Sequence, residues 1–272
     1  MSLVSTEWLD NNHSEVKIID ASWHMPNTNR NAYEEYKKEH IKNAIFFDID
    51  KFSNKKTELP HMLPNVEEWE KIVSNLGITN EDRIIVYDNS DVISSCRCWY
   101  TFIFFGHNPN LISVLNGGFL KWKKENRETT NKVSNYEKKN YKAIKISYLV
   151  KSKEEIDKNI VEKKFQVVDA RSKSRFLGME KEPRQNVKSG SIKNSYCLPF
   201  GELINPKDKT FIEKNLIKEK FTNIGINNEK NVVFSCGSGI TAAVLGLAYS
   251  IINDRYLPAI YDGSWAEYGK IK

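Results

Sequence analysis

The stretch VVFSCGSGITAAVLGLA, residues 232–248, predicts three structural elements in succession. Its β-branched and aromatic residues are typical of a short buried strand, which would end directly before Cys236. Two glycines follow within three residues, and then comes an apolar run of good helix formers. The stretch therefore predicts a strand, a tight turn and a helix, with a thiol at the carboxyl end of the strand.

The composition of the turn indicates a reactive thiol. Gly237 and Gly239 allow the backbone to curl tightly, so that several N–H groups point toward one place. Amide groups at the start of a helix bind anions, and they are expected to favour the thiolate of Cys236 over the thiol. The alternative is an ordinary buried cysteine, which needs no glycine-rich turn. A phosphatase loop would require an arginine at the sixth position after the cysteine, where this chain has Ala242.

Four sequence landmarks occur twice in the same order, about 150 residues apart. The matching pairs are KIIDASW (17–23) with QVVDARS (166–172), HIKNAIFFDI (40–49) with SIKNSYCLPF (191–200), RIIVYDNS (83–90) with NVVFSCGS (231–238), and SVLNGGFLKW (113–122) with AIYDGSWAEY (259–268). Such a repeat predicts a duplicated domain. Asp88 takes the place of Cys236 in the first copy, which therefore cannot form a thiolate there.

Short β-branched runs alternate with helical patterns in both copies. This alternation predicts an α/β protein with two tandem domains, each a mostly parallel sheet with helices on both faces. We place the domains at residues 1–140 and 152–272, with a polar linker rich in Lys and Asn around residues 131–152.

Composition excludes several classes of protein. The 272 residues carry a net charge of +6 and are 40% hydrophobic, which is typical of a globular chain. The longest apolar run, around residues 242–252, is too short to span a bilayer, and the first residues show no secretion or transit pattern. The lysines are scattered, so we expect no nucleic-acid groove and no membrane partner. The four cysteines match neither a disulfide framework nor a pair of zinc knuckles, and we expect a cytoplasmic location.

The segments CGSGITA, FFDID, HMLP and YDGSW together resemble the rhodanese superfamily, over about residues 8–269. The resemblance implies two rhodanese-like domains, the first catalytically inactive and the second carrying the catalytic Cys236. The implied reaction moves sulfur from 3-mercaptopyruvate to a thiol, such as thioredoxin, or to cyanide. It proceeds through a cysteine persulfide, releases pyruvate and needs no metal or organic cofactor.

The resemblance also implies the roles of individual residues. Ser238 and Asp50 would form a proton relay with Cys236, which would place the site between the domains. Arg175 and Arg184 would hold the carboxylate and ketone oxygens of the substrate, since arginine suits a planar carboxylate. Further substrate-binding candidates are His61 and the turn residues Gly237, Gly239, Ile240 and Thr241.

The residues after the cysteine bear on the sulfur donor. Similar enzymes for thiosulfate carry basic residues there, whereas this chain has the uncharged Gly237 and Ser238. We therefore expect 3-mercaptopyruvate as donor, with thiosulfate as the alternative. A non-catalytic sulfur-carrier or regulatory module is a third interpretation, against which the intact cysteine turn speaks.

Several features depart from the superfamily pattern or have no assigned role. Ser191, Lys193 and Asn116 replace the usual residues of loops, and we expect them to affect efficiency more than identity. Cys96 and Cys98 are expected to serve packing, while Cys197 near a strand end has no assigned role. The sequence indicates neither the physiological acceptor nor the oligomeric state.

Overall fold

The computed structural model describes residues 2–226, 231–253 and 256–271 and contains two compact units. Unit 1 comprises the residues up to Asn54 together with Pro64–Ile146 and Pro206–Thr210. Unit 2 comprises Lys55–Leu63, Ser147–Asn205 and the residues from Phe211 onward. Two short segments thus belong to a different unit from the residues on either side of them. Across the described residues, no helix is long and apolar enough to cross a membrane.

Unit 1 alternates strands with helices along the chain. Its strands are β1 (Leu3–Val4), β2 (Lys17–Asp20), β3 (His40–Ile41), β4 (Ala44–Phe46), β5 (Ile84–Tyr87), β6 (Ile112–Leu115) and β7 (Thr129–Thr130). Its helices are α1 (Thr6–Asn11), α2 (Ala32–Lys38), α3 (Val66–Asn75), α4 (Ser95–Phe104) and α5 (Gly118–Lys124).

Unit 2 has the same alternation. Its strands are β8 (Val150–Lys151), β9 (Phe165–Asp169), β10 (Tyr196–Cys197), β11 (Asn231–Ser235) and β12 (Ala259–Tyr261). Its helices are α6 (Lys153–Glu162), α7 (Lys173–Phe176), α8 (Lys214–Asn223), α9 (Ile240–Ile252) and α10 (Ser264–Tyr268).

Each unit contains a five-stranded parallel sheet with the same strand order. The order is β1–β6–β5–β2–β4 in unit 1 and β8–β12–β11–β9–β10 in unit 2. The two orders coincide when strands of the matching sequence landmarks are paired, so the predicted duplication is confirmed in the topology. A separate antiparallel pair, β3 with β7, completes unit 1.

Helices cover both faces of the unit 1 sheet. On one face, Leu9 of α1 and Tyr36 of α2 pack with Ile18 of β2 in a buried cluster. On the other face α4 contacts β5 and β6, and Trp69 of α3 packs edge-on against Phe102 of α4 at 4.9 Å between ring centroids. Successive strand residues point to opposite faces, which explains why these strands are apolar throughout.

The unit 2 sheet is buried in the same way. Val233 of β11 joins a cluster with Ile156 of α6 and Trp265 of α10. The next residue, Phe234, points to the opposite face and packs edge-on against Phe221 of α8. Helix α9 is almost wholly apolar and buried, as its sequence predicts. This packing holds β11 at the centre of the unit, with its carboxyl end next to that of β9.

Candidate active site

Cys236 lies in a turn of backbone amides between β11 and α9. Its Sγ accepts hydrogen bonds from the N–H groups of Gly239 at 3.1 Å and Ser238 at 3.5 Å. Gly239 has a φ of +82°, a left-handed conformation that glycine adopts at little cost. The positive end of the 13-residue helix α9 adds to these donors. The turn therefore favours negative charge on the sulfur.

The start of α10 braces the turn from behind. The backbone N–H of Cys236 donates to Oγ of Ser264 at 3.2 Å. The N–H of Trp265 donates to the carbonyl of Cys236 at 2.9 Å, and that of Ala266 donates to the carbonyl of Gly237 at 3.0 Å. Because the carbonyl groups of Cys236 and Gly237 are bound by α10, the N–H groups of Ser238 and Gly239 remain directed at the Cys236 sulfur.

Arg175 and Arg184 meet beside Gly237. A Cβ atom at this glycine would lie 3.3 Å from Nη2 of Arg175 and 3.3 Å from Nη1 of Arg184. Nη2 of Arg184 also donates a hydrogen bond to Oγ of Ser238 at 3.0 Å. Burial lowers the pKa of Arg184 below its ordinary value, and negative charge on the Cys236 sulfur opposes this shift. Two guanidinium groups thus lie one residue from the thiol, where they can bind a carboxylate.

Cys236 is only 2% exposed, but its surroundings are polar. The sulfur accepts two backbone N–H groups and lies close enough to Arg184 to interact with its charge. A cysteine that served only packing would contact apolar side chains instead. Burial in this setting removes competing water without removing the groups that stabilise an anion.

His61 belongs to unit 2 and contacts Ser238. Its Nδ1 lies 3.0 Å from Oγ of Ser238, and the N–H of Leu63 donates to Asp262 at 2.9 Å, which holds this segment on the unit. Nη2 of Arg184 donates to the serine oxygen, and in the tautomer of His61 that has an unprotonated Nδ1 the hydroxyl of Ser238 donates to that nitrogen. This contact with Ser238 supports His61 as a residue of the site more strongly than its position in the sequence does.

The other predicted residues occupy different places. Asp50 is an exposed residue of unit 1, where its Oδ2 accepts a hydrogen bond from Nε1 of Trp23 at 2.9 Å. Its relay with Ser238 stays a prediction. Ile240 is buried and Thr241 half-buried in the first turn of α9, and their contacts with substrate stay predictions as well.

Sequence reasoning did not identify Glu182 as part of the site. Its carboxylate accepts hydrogen bonds from Arg175 and from Arg171, the latter at 2.6 Å between Oε1 and Nη1. Arg171 also pairs with Asp169, at 2.7 Å between Nη2 and Oδ2. The only signal for Glu182 in the sequence is its position two residues before Arg184, which predicts no particular partner.

Unit 1 fills the equivalent turn with its own carboxylate. Oδ1 of Asp88 accepts the N–H of Ser90 at 2.8 Å, and Oδ2 accepts the N–H of Ser95 at 2.8 Å. The N–H groups of Ser90 and Ser95, which could stabilise a bound anion, are therefore already paired with the carboxylate of Asp88. Burial raises the pKa of Asp88 above its ordinary value, because the charged form is poorly solvated there.

The remaining cysteines differ from Cys236 in their surroundings. Cys96 and Cys98 are buried in α4, where burial raises the pKa of each thiol well above its usual range. Cys197 is half-buried and donates to the carbonyl of Arg171 at 3.6 Å. Burial raises the pKa of Cys197 to about 11, so its thiol is protonated at neutral pH.

A family model described as the rhodanese-like domain matches residues 5–125 and again residues 152–270. The chain belongs to the rhodanese-like family. Both matches include the strand–turn–helix unit that carries Asp88 in the first copy and Cys236 in the second. The predicted fold class, two tandem rhodanese-like domains, is thereby confirmed.

Curated relatives and a solved structure extend the comparison over nearly the whole chain. Thiosulfate/3-mercaptopyruvate sulfurtransferase 1, mitochondrial, from Arabidopsis thaliana is 35% identical, covering 98% of this chain and 75% of the relative. The 3-mercaptopyruvate sulfurtransferase of Mus musculus is 34% identical, covering 98% and 91%. The crystal structure of SseA from Escherichia coli, a 3-mercaptopyruvate sulfotransferase, has a TM-score of 0.87 at 29% identity and covers 97% of this chain and 99% of SseA.

Proposed function

We propose that this protein is a sulfurtransferase that takes sulfur from 3-mercaptopyruvate, holds it as a persulfide on Cys236 and passes it to an acceptor. The observation that carries the proposal is the arrangement around Cys236. The N–H groups of Ser238 and Gly239 donate to the sulfur. The guanidinium groups of Arg175 and Arg184 lie beside Gly237, the residue that follows Cys236. One group of donors stabilises a sulfur anion, and the other binds the carboxylate of a small keto acid.

The first half-reaction breaks the carbon–sulfur bond of the donor. The thiolate of Cys236 attacks the donor sulfur and forms a sulfur–sulfur bond. The electrons of the carbon–sulfur bond go to the methylene carbon, which gives the enolate of pyruvate. Arg175 and Arg184 hold the carboxylate and ketone oxygens, so the developing enolate oxygen faces a cation. The persulfide anion then occupies the place of the thiolate.

Ser238 and His61 supply a route for the donor's proton. The thiol proton of the donor must reach the methylene carbon to give pyruvate. The Ser238 hydroxyl is held between Nη2 of Arg184 and Nδ1 of His61, each at 3.0 Å. Its oxygen can therefore take up the donor's thiol proton while its own hydroxyl proton passes to Nδ1 of His61, and the reverse transfers then deliver a proton to the methylene carbon. We keep Asp50 as a further member of this relay.

The second half-reaction releases the outer sulfur. A thiol, with thioredoxin as the protein example, or cyanide attacks the outer sulfur and restores the Cys236 thiolate. We propose that this takes place in the cytoplasm, as the composition and cysteine content indicate. Neither half-reaction requires a metal or organic cofactor.

Thiosulfate is the second candidate donor. The Arabidopsis relative carries both donors in its name, and a site with two guanidinium groups attracts a sulfur oxyanion as well. The uncharged Gly237 and the hydroxyl of Ser238 favour the keto acid, because it carries a thiol proton that the relay can transfer.

Intact-protein mass spectrometry tests the proposed reaction. One equivalent of 3-mercaptopyruvate should add the mass of one sulfur atom and release one equivalent of pyruvate. Cys236→Ser should give neither product, whereas the control Cys98→Ser should give both. An adduct that survives Cys236→Ser would refute the assignment of the nucleophile. A kcat/KM for thiosulfate equal to or above that for mercaptopyruvate would refute the choice of donor.

A further inference from the structure

Glu182 is a buried acid in direct contact with a proposed substrate-binding arginine. Its side chain is 2% exposed. Oε2 accepts Nη2 of Arg175 at 2.5 Å and Oε1 accepts Nε at 3.2 Å, so the carboxylate binds one edge of the guanidinium with both oxygens. Bidentate pairing of this kind fixes the plane of the guanidinium as well as its position.

Glu182 is itself held by a fixed cation. Its Oε1 also accepts Nη1 of Arg171 at 2.6 Å. Arg171 donates from its other edge to Asp169 and from Nη2 to the carbonyl of Gly190 at 2.7 Å, and its guanidinium lies 4.6 Å from the ring centroid of Trp265. Because every side of Arg171 is engaged, Glu182 cannot shift without breaking these contacts.

The hydrogen bonds that join Arg171, Glu182 and Arg175 form a network, which determines which part of Arg175 faces the site. Nε and Nη2 are used by Glu182, and Nη2 is also the atom nearest to a Cβ built on Gly237. Nη1 makes no further hydrogen bond among the residues that the structure describes. Arg175 is thus aimed at the turn through Nη2 and keeps Nη1 available for a ligand, whereas Arg184 approaches the same glycine through Nη1.

The network also sets the charge of the site. Arg171, Arg175 and Arg184 are three formal positive charges, and Asp169 and Glu182 are two formal negative charges. Without the charge of the Cys236 sulfur, these five side chains therefore carry a net charge of +1, because Glu182 cancels the charge of the guanidinium that it positions. One positive charge matches a donor with a single carboxylate, such as a 2-keto acid with a neutral thiol. A dianion such as thiosulfate would leave one charge uncompensated.

We propose that Glu182 is a specificity-determining residue of the sulfur-donor site, which positions Arg175 and lowers the positive charge so that singly charged donors are preferred over dianions. This inference rests on the proposed function, since it assumes that the donor binds at Arg175 and Arg184. It adds a residue that does not contact the sulfur but acts through the arginine that binds the donor.

The variant Glu182→Gln tests the charge, because glutamine has nearly the same shape and no charge. The ratio of kcat/KM for thiosulfate to kcat/KM for 3-mercaptopyruvate should rise by about tenfold, as one extra positive charge attracts a dianion more than a monoanion at short range. The rise should shrink in high salt, since screening weakens this difference. Glu162→Gln, which changes an exposed glutamate of the same unit, should leave the ratio unchanged.

The variant Glu182→Asp separates charge from position. It keeps the negative charge but shortens the side chain, so the ratio should stay within about twofold of the wild type. The KM for 3-mercaptopyruvate should rise about tenfold as Arg175 loses its fixed orientation. If Glu182→Gln lowers kcat/KM for both donors equally, Glu182 is only structural and the inference fails. If Glu182→Gln does not fold, the aspartate variant decides alone, and a shifted ratio in it refutes the proposal.

Failure of the proposed function gives a different result. In that case the wild type forms no persulfide with either donor. Failure of the Glu182 inference leaves persulfide formation by the wild type intact, with an unchanged donor ratio in Glu182→Gln.

Discussion

Asp20 is a buried carboxylate whose ionisation should destabilise unit 1. It is 4% exposed at the end of β2, where Oδ1 accepts the N–H and the hydroxyl of Ser22. The pKa of Asp20 is raised from 3.8 to about 6, mainly by burial, with the charge of Asp88 adding to the effect. In unit 2 the equivalent Asp169 faces the guanidinium of Arg171, whereas in unit 1 this place is taken by Ser22.

The direction of the pH effect follows from proton binding. Between pH 3.8 and about 6 the folded protein keeps a proton that the unfolded chain has lost. The free energy of unfolding therefore falls as the pH rises through this range. A pKa difference of one corresponds to about 1.4 kcal/mol, so the loss at pH 7 is about 3 kcal/mol relative to pH 3.

The variant Asp20→Asn should remove this loss, since asparagine is neutral and its oxygen can still accept from Ser22. Urea unfolding, followed by tryptophan fluorescence, should be measured for wild type and variant from pH 3.5 to 7.5. The difference in unfolding free energy should shift by about 3 kcal/mol in favour of the variant across this range. Asp10→Asn, which makes the same change at an exposed carboxylate paired with Arg127, is the control substitution. A constant difference between Asp20→Asn and wild type would refute the reasoning.

Two further substitutions probe unit 2. Gly246→Ala should lower the free energy of unfolding by about 1–3 kcal/mol, because the new methyl group would lie 2.7 Å from Cβ of Pro258 in a close-packed region. Thermal denaturation measures this change, and a Tm above that of the wild type would contradict the packing argument. Ser238→Ala should lower kcat/KM for 3-mercaptopyruvate about 10- to 100-fold, because Arg184 and His61 lose the hydroxyl group that both contact. The Tm of this variant should stay near that of the wild type. Unchanged turnover of that variant would remove Ser238 from the relay.

Unit 1 shows how the duplicated turn loses its chemistry without losing its fold. Asp88 directs its carboxylate to the N–H groups of Ser90 and Ser95. The same amides would otherwise need an external anion or water. The substitution of an acid for the cysteine therefore satisfies the turn internally, and the parallel sheet around it keeps the strand order of unit 2.

Local properties of the chain were sufficient to predict the architecture. Strand-forming runs, glycines and apolar helices act over a few residues, so the strand, turn and helix around Cys236 can be identified without any tertiary contact. Gly239 illustrates this, because its left-handed φ is a property of one residue. The repeat of four landmarks then extends the same local information to a second domain.

The partners of the site residues were decided only by the tertiary structure. Glu182 binds Arg171 and Arg175 because the segment after α7 folds back onto α7 and onto the loop after β9. His61 contacts Ser238 across 177 positions of the chain. Nothing in the residues near Glu182 or His61 specifies these contacts. The sequence by itself determined where a thiol and its amide donors would lie, because backbone geometry is local. The charge and proton route around that thiol depend on side chains far apart in sequence, and their meeting is a consequence of packing.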